Sequence, residues 1–149
     1  YNENHHETCR FMASGAGYWQ CIPFEGNEKL LGTTDMPSEE YIESMLNNEN
    51  FYLFVAEHEG AIVGMLSLVV VDIPTGRKAW IEDVVVDSAY RGKGYGKMLV
   101  EHAIEYARTL SPCTLMLTSN PLRVAANKLY QAMGFERKET NCYKMDKGL

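Results

Sequence analysis

Three glycines at every second position, Gly92, Gly94 and Gly96, interleave with Arg91, Lys93, Tyr95 and Lys97. They follow directly on a β-branched run, Val84, Val85 and Val86, that ends at Asp87-Ser88. An amphipathic pattern begins at once behind them. The order reads as strand, tight loop and helix, with the glycines at the helix N-terminus. Such a loop lets backbone N–H groups approach an anion closely, and the helix dipole favours negative charge there. The chemistry is recognition of a phosphate or pyrophosphate. The spacing does not fit the dinucleotide fingerprint GxGxxG, and the Gly-Lys-Ser/Thr ending of a P-loop is missing. On these residues alone, a glycine-rich turn with solvated charges is the competing reading.

A second segment narrows the choice. It runs Thr118-Ser119-Asn120-Pro121-Leu122-Arg123-Val124-Ala125-Ala126-Asn127-Lys128-Leu129-Tyr130-Gln131-Ala132-Met133-Gly134-Phe135. With the strand and glycine loop before it, the chain resembles the GCN5-related N-acetyltransferase (GNAT) superfamily. Arg91, Gly94 and Gly96 stand in register with that family's (R/Q)xxGxG/A signature. Ala126, Tyr130, Gly134 and Phe135 match its Ala-x-x-x-Tyr…Gly-Phe signature. The resemblance runs from about residue 30 to residue 145. Arg123 stands where many members carry Asn, and residues 1–29 do not look like the family's usual first strand and helix.

The resemblance implies an α/β fold with a mixed, mostly antiparallel central sheet flanked by helices. A β-bulge splays the sheet at the cofactor-binding strand. It also implies acetyl-CoA as cosubstrate, a primary amine as acceptor, direct transfer without a metal, and a homodimer. The diphosphate would sit on the N–H groups of Arg91, Gly92, Lys93, Gly94, Tyr95, Gly96 and Lys97. The pantetheine arm would pair with the strand edge at Val84, Val85 and Val86 as an added strand does. Tyr130 is the family's thiolate acid. Asn120, Arg123 and Asn127 complete the cofactor set. Asn120 is equally placed to orient the acceptor or to cap a helix starting at Pro121.

Direct transfer needs a neutral amine, so one group must take the ammonium proton. Glu82 and Asp83 precede the cofactor strand, and strand alternation sets them on opposite faces. Glu82 is the favoured base; Asp83 is then a second site carboxylate or a structural one. Protein or peptide acetylation, and a non-catalytic acyl-CoA sensor, are the alternatives to a small-molecule enzyme.

Bulk properties agree with this reading. The chain has 149 residues, 46% hydrophobic and 23% charged, as expected of one soluble domain. No stretch reaches the ~18–20 apolar residues of a membrane span, and the first residues lack the charged-then-apolar pattern expected of a signal peptide. A net charge of -6 argues against nucleic acid and suits a cationic substrate. Cys9, Cys21, Cys113 and Cys142 lack metal-ligand spacing, as do His5 and His6. These features set the expectation of a cytoplasmic protein with reduced thiols.

The elements that must position these residues follow from periodicity. Pro37-Ser38-Glu39-Glu40 opens a helix capped near Asp35 or Met36, with Tyr41, Ile42, Met45 and Leu46 on its apolar side. Residues 51–57 and 61–71 read as strands joined by the turn His58-Glu59-Gly60. Residues 72–76 form a second turn, and residues 78–86 a third strand. A helix spans 94–110, with Met98, Leu99, Ala103, Tyr106, Ala107 and Leu110 on one face. A short strand covers 113–118 and a helix 123–133, which Gly134 stops. Residues 135–137 and 141–145 are expected to close the fold as a hairpin.

Overall fold

A computed structural model describes residues 7–12 and 38–145. His5, His6, Cys21 and the expected cap residues Asp35 and Met36 lie outside the described residues. The chain divides into two compact units, residues 1–118 and residues 119–149.

The first unit is built on a five-stranded sheet in sequential order. Its strands are β1 (Glu7–Met12), β2 (Phe51–His58), β3 (Ala61–Ile73), β4 (Gly76–Val86) and β5 (Thr114–Leu117). The first four pair antiparallel, while β5 joins β4 in parallel. β1 was not expected from the sequence: its six residues pair edge-on with β2, Glu7 opposite His58. The β2–β3 turn is the expected one. His58 pairs with Ala61, and Glu59 and Gly60 both have positive φ (48° and 81°), the geometry of a tight two-residue hairpin.

The second turn is tighter than the sequence suggested. Asp72 and Ile73 belong to β3, and Ile73 pairs with Gly76 across a two-residue loop. The reason is a cross-strand ion pair. Asp72 faces Arg77, whose Nε and Nη2 donate to its carboxylate at 2.7 and 3.0 Å. That contact holds the Asp72 carboxyl below its ordinary pKa. Arg77 Nη1 also donates to the Leu110 carbonyl at 3.4 Å.

Helices cover the two faces. α1 (Glu39–Leu46) is capped by Ser38, whose Oγ accepts from the Tyr41 N–H at 3.2 Å; this replaces the expected Asp35 or Met36 cap. Met45 and Leu46 pack on Phe51, Leu53, Val55 and Met65. Tyr41, expected on that apolar side, is 61% exposed. α2 (Tyr95–Thr109) lies on the other face, against β2, β3 and β4. Its Tyr106 meets Tyr52 and Phe54 at ring-centroid distances of 4.6 and 6.1 Å. Burial and the Tyr52 hydroxyl push the Tyr106 phenol up to about 12.

In the second unit α3 (Val124–Ala132) ends as expected at Gly134, φ +99°. The expected hairpin over 135–137 and 141–145 does not form: residues 135–145 contain no helix or strand. The side chains there are mostly exposed, so they bury too little apolar surface to fix a strand pair.

Gly64, opposite Val86 in β3, is a close-approach site. A Cβ there would lie 3.1 Å from the Val85 carbonyl oxygen and 3.2 Å from Leu99 Cδ1. Gly64→Ala is therefore expected to lower stability by about 1–3 kcal/mol, as overpacking does. Urea unfolding followed by circular dichroism tests this; an unchanged midpoint would show that β3 and β4 move apart freely.

Candidate functional site

β4 carries the site because its two neighbours treat it differently along its length. On one side β5 pairs with Lys78, Ala79, Trp80 and Ile81 and then stops at Leu117. Beyond Ile81, β4 runs on for five more residues with no strand beside that edge among the described residues. On the other side the register against β3 slips. Ser67 faces Glu82 but Met65 faces Val85, so three steps in β4 match two in β3. The extra residue is a β-bulge, and Asp83 adopts φ +51° there. The bulge implied by the resemblance is present, and the pairing of β4 with β5 ends just before it.

The bulge corrects the reading of Glu82 and Asp83. Regular alternation does not continue through this step, so it cannot assign them to opposite faces. Both are solvent-exposed. Glu82 stays in register with Ser67, on the sheet face that carries Met65 and Val85. Val84, Val85 and Val86 are half-buried, and their backbone continues to the end of the strand.

Asp87 then turns the chain. Its Oδ1 accepts from the Ala89 N–H at 2.9 Å, and its carbonyl accepts from the Tyr90 N–H at 2.8 Å. A short 3-10 turn, Ser88–Tyr90, leads into the glycine loop. Gly92 and Gly94 have φ of +75° and +94°, and a Cβ at either would meet nothing within 4 Å. Backbone conformation, not crowding, makes glycine necessary there. The open space is a cradle in front of the helix. Gly94 is the N-cap of α2 and offers no side-chain cap to the first-turn N–H groups. Those donors point out of the helix end where a phosphate would neutralise them.

The loop's side chains divide by role. Arg91 folds back, its Nε donating to the Val86 carbonyl at 3.2 Å. Lys93 lies over the Tyr90 ring, 5.2 Å from its centroid. Lys97 Nζ is 3.7 Å from Glu101 on the exposed helix face. Tyr95 is buried, and its hydroxyl is 2.6 Å from His58 Nδ1. Its ring therefore belongs to the core, and its N–H is what it presents at the helix end. The sequence reading missed His58, which looked like a turn residue; nothing local to it signals a partner in α2.

The remaining predicted residues lie in the second unit. Asn120 Oδ1 accepts from the Leu122 N–H at 2.9 Å, an Asx turn. Asn120 does not cap a helix at Pro121: α3 begins at Val124, after Arg123. The Asn120 carbonyl accepts from Asn127 Nδ2 at 2.9 Å, so this pair braces the turn before α3. Tyr130 is buried, 6.1 Å edge-on from Phe135. The Phe135 N–H reaches the Tyr130 carbonyl at 3.0 Å and the Gly134 N–H that of Gln131 at 3.1 Å. These two bonds form a Schellman cap, with the Tyr130–Phe135 contact as its apolar seal. Burial raises the Tyr130 pKa, while the nearby Arg123 charge opposes the shift.

Residues 17–135 match the acetyltransferase (GNAT) family. The chain belongs to that family. Human N-acetyltransferase 8 is 33% identical over 106 residues, covering 70% of this chain and 46% of that protein. The uncharacterized N-acetyltransferase YhdJ of Bacillus subtilis (strain 168) is 34% identical over 107 residues, covering 68% and 75% respectively. The chain thus spans about half the length of the human relative. In fold it is similar to an aminoglycoside acetyltransferase, meta-AAC0020, from an uncultured soil metagenomic sample, solved in complex with sisomicin. The TM-score is 0.78 at 21% identity, over 95% of this chain and 97% of that one. As a GNAT-family domain, the chain carries the bulged β4 and the glycine loop that holds Arg91, Gly94 and Gly96. Among the described residues no cluster of His, Cys, Asp or Glu could hold a metal.

The raised Tyr130 pKa has a measurable consequence. Folding holds this proton longer than the unfolded chain does. Its contribution to stability is therefore full below the ordinary phenol value of 10.0 and is lost as pH rises through the raised one. Tyr130→Phe is expected to flatten the fall in stability as pH rises above the ordinary phenol value of 10.0. Urea midpoints across that range decide it; parallel curves for both proteins would assign the fall to other groups.

Proposed function

We propose that this chain is an N-acetyltransferase that moves the acetyl group of acetyl-CoA to a primary amine of a small molecule by direct attack. One observation carries the reading: the edge of β4 beyond Ile81, which no strand covers among the described residues, leads straight into a helix N-terminus without a side-chain cap. An extended, amide-bearing chain ending in a diphosphate matches both halves of that surface. The residues fit acetyl-CoA in polarity and in shape.

In this reading Val84, Val85 and Val86 present main-chain donors and acceptors to the pantetheine arm. The first-turn N–H groups of α2, with Gly92 and Gly94 keeping the approach open, hold the diphosphate. A main-chain N–H of the bulged segment receives the oxyanion as the amine nitrogen bonds to the acyl carbon. The C–S bond breaks, and Tyr130, in the role the family resemblance gives it, donates its phenolic proton to the leaving sulfur; the proton released by the newly acylated nitrogen then restores the phenol. Glu82 draws the cationic acceptor and takes its ammonium proton through water. Asp83, held beside it at φ +51°, adds a second negative charge to the acceptor side.

Support for a small amine is of two kinds. The exposed Glu82–Asp83 pair and the net charge of -6 favour a cation. The fold neighbour bound to sisomicin is named as an aminoglycoside acetyltransferase. A panel of aminoglycosides, polyamines, amino sugars and peptide N-termini, assayed for thiol release from acetyl-CoA, tests the class. Turnover confined to peptides would replace it with protein acetylation.

Acetyl-CoA is expected to raise the thermal midpoint, and Gly94→Val to abolish the shift while leaving the circular dichroism spectrum unchanged. An equal shift in both proteins would remove the loop from cofactor binding. Tyr130→Phe should keep the shift and lose roughly 10²–10⁴-fold in kcat, the usual reach of a general acid. Full turnover in that variant would exclude the phenol.

A further inference from the structure

The first turn of α2 is tied to the neighbouring β2–β3 hairpin by a group that the transfer reaction does not use. Tyr95, the first residue of α2, is 1% exposed and sends its hydroxyl to His58 Nδ1 at 2.6 Å. His58 is the last residue of β2, beside the Glu59-Gly60 turn. Its ring lies 5.2 Å from the Tyr90 ring and 6.1 Å, edge-on, from the Tyr95 ring. Tyr90 and Tyr95 are themselves 6.2 Å apart, also edge-on. Three aromatic rings thus meet beneath the loop, one from each of its two ends and one from the hairpin. Lys93, at the centre of the loop, lies over the outermost ring.

This arrangement addresses a specific problem. Gly92 and Gly94 give the loop its left-handed turns, and glycine carries the largest backbone freedom of any residue. A cradle that is ordered only when ligand arrives loses affinity to that ordering. Neither glycine contributes a side chain, so the loop must be fixed from its flanks. Tyr90 and Tyr95 are those flanks, and His58 joins them.

We propose that His58 is a positioning residue for the diphosphate cradle, acting through Tyr95 and Tyr90 to preorganise the first turn of α2. The inference rests on the reading of the loop as an acyl-CoA diphosphate site. His58 touches neither substrate in this scheme. Its Nδ1 shares a hydrogen bond with the Tyr95 hydroxyl and its ring packs on Tyr90, and so it sets where the first N–H groups of α2 point.

The test uses Tyr95→Phe, His58→Ala, His58→Asn and, as a control on the same helix, Tyr106→Phe. CoA affinity is measured by calorimetry, and kcat and KM for acetyl-CoA are measured with whichever amine the panel identifies. Tyr95→Phe and His58→Ala are each expected to weaken CoA and raise KM for acetyl-CoA about three- to tenfold, the worth of one hydrogen bond, with kcat unchanged. The double variant should lose less affinity than the two single losses combined, because both variants remove the Tyr95–His58 hydrogen bond. His58→Asn, which restores an acceptor near the Nδ1 position, should recover part of the affinity. Tyr106→Phe should leave it unchanged.

Hydrogen exchange in the ligand-free protein gives an independent readout. Amides of residues 92–97 should exchange faster in Tyr95→Phe than in the parent, and no faster in Tyr106→Phe. Parent-like CoA affinity in Tyr95→Phe overturns the positioning role while leaving the loop as the cofactor site. Absence of CoA binding to the unmodified protein overturns the site itself, and the role with it.

Discussion

The strand pairing of β4 is the constraint on which the rest depends. A strand inside a sheet normally satisfies both edges. Here β5 satisfies one edge only as far as Ile81, and β3 accompanies the other past a bulge at Asp83. Among the described residues, the last five of β4 thus have no strand along one edge, where Arg91 takes the Val86 carbonyl. An exposed edge is a hazard of unwanted pairing. In this protein it is short, flanked by exposed carboxylates and followed at once by a turn. Those features suit a small extended ligand better than a second strand.

The bulge and the close approach at Gly64 belong to one local design. Asp83 takes a backbone conformation that few residues other than glycine adopt, and Asp is among those that tolerate it. Immediately beyond, β3 brings Gly64 against Val86, with no room for a side chain. The sheet can therefore curve at this point without forcing β3 and β4 apart. Leu99 of α2 fills the same corner, so the curvature of the strand and the seating of the helix are set together. The helix N-terminus that follows inherits its position from that packing.

In the second unit the signature residues have a local physical meaning of their own. Tyr130, Gly134 and Phe135 are three members of one helix cap: a carbonyl, a left-handed turn and the N–H and ring that close it. The cap fixes where α3 ends and so fixes the Tyr130 ring on its last turn. Burial of that phenol favours its neutral form, which is the form a proton donor needs. The Asn120–Asn127 bond does the same work at the other end of α3.

Much of this was legible in the sequence, and the misses share a cause. Alternating and β-branched runs marked β2, β3 and β4, and the glycine loop and Gly134 marked the ends of helices, because those signals are carried by neighbouring residues. The extension of β3 through Asp72 was not visible, since its support is Arg77 across the turn. β1 was not visible either, being defined by its register with β2. Strand alternation does not decide the faces of Glu82 and Asp83, because a bulge is a property of two strands together. His58 looked like a turn residue because its partner, Tyr95, lies 37 positions away. Residue types and spacing by themselves determined β2 to β5, the three helices, the glycine-rich loop and the family, but neither β1 nor the irregular course of residues 135–145. The tertiary structure alone decided where β4 loses its partner, where the chain bulges and which side chains are committed to the core, because each is an outcome of pairing between segments distant in the chain.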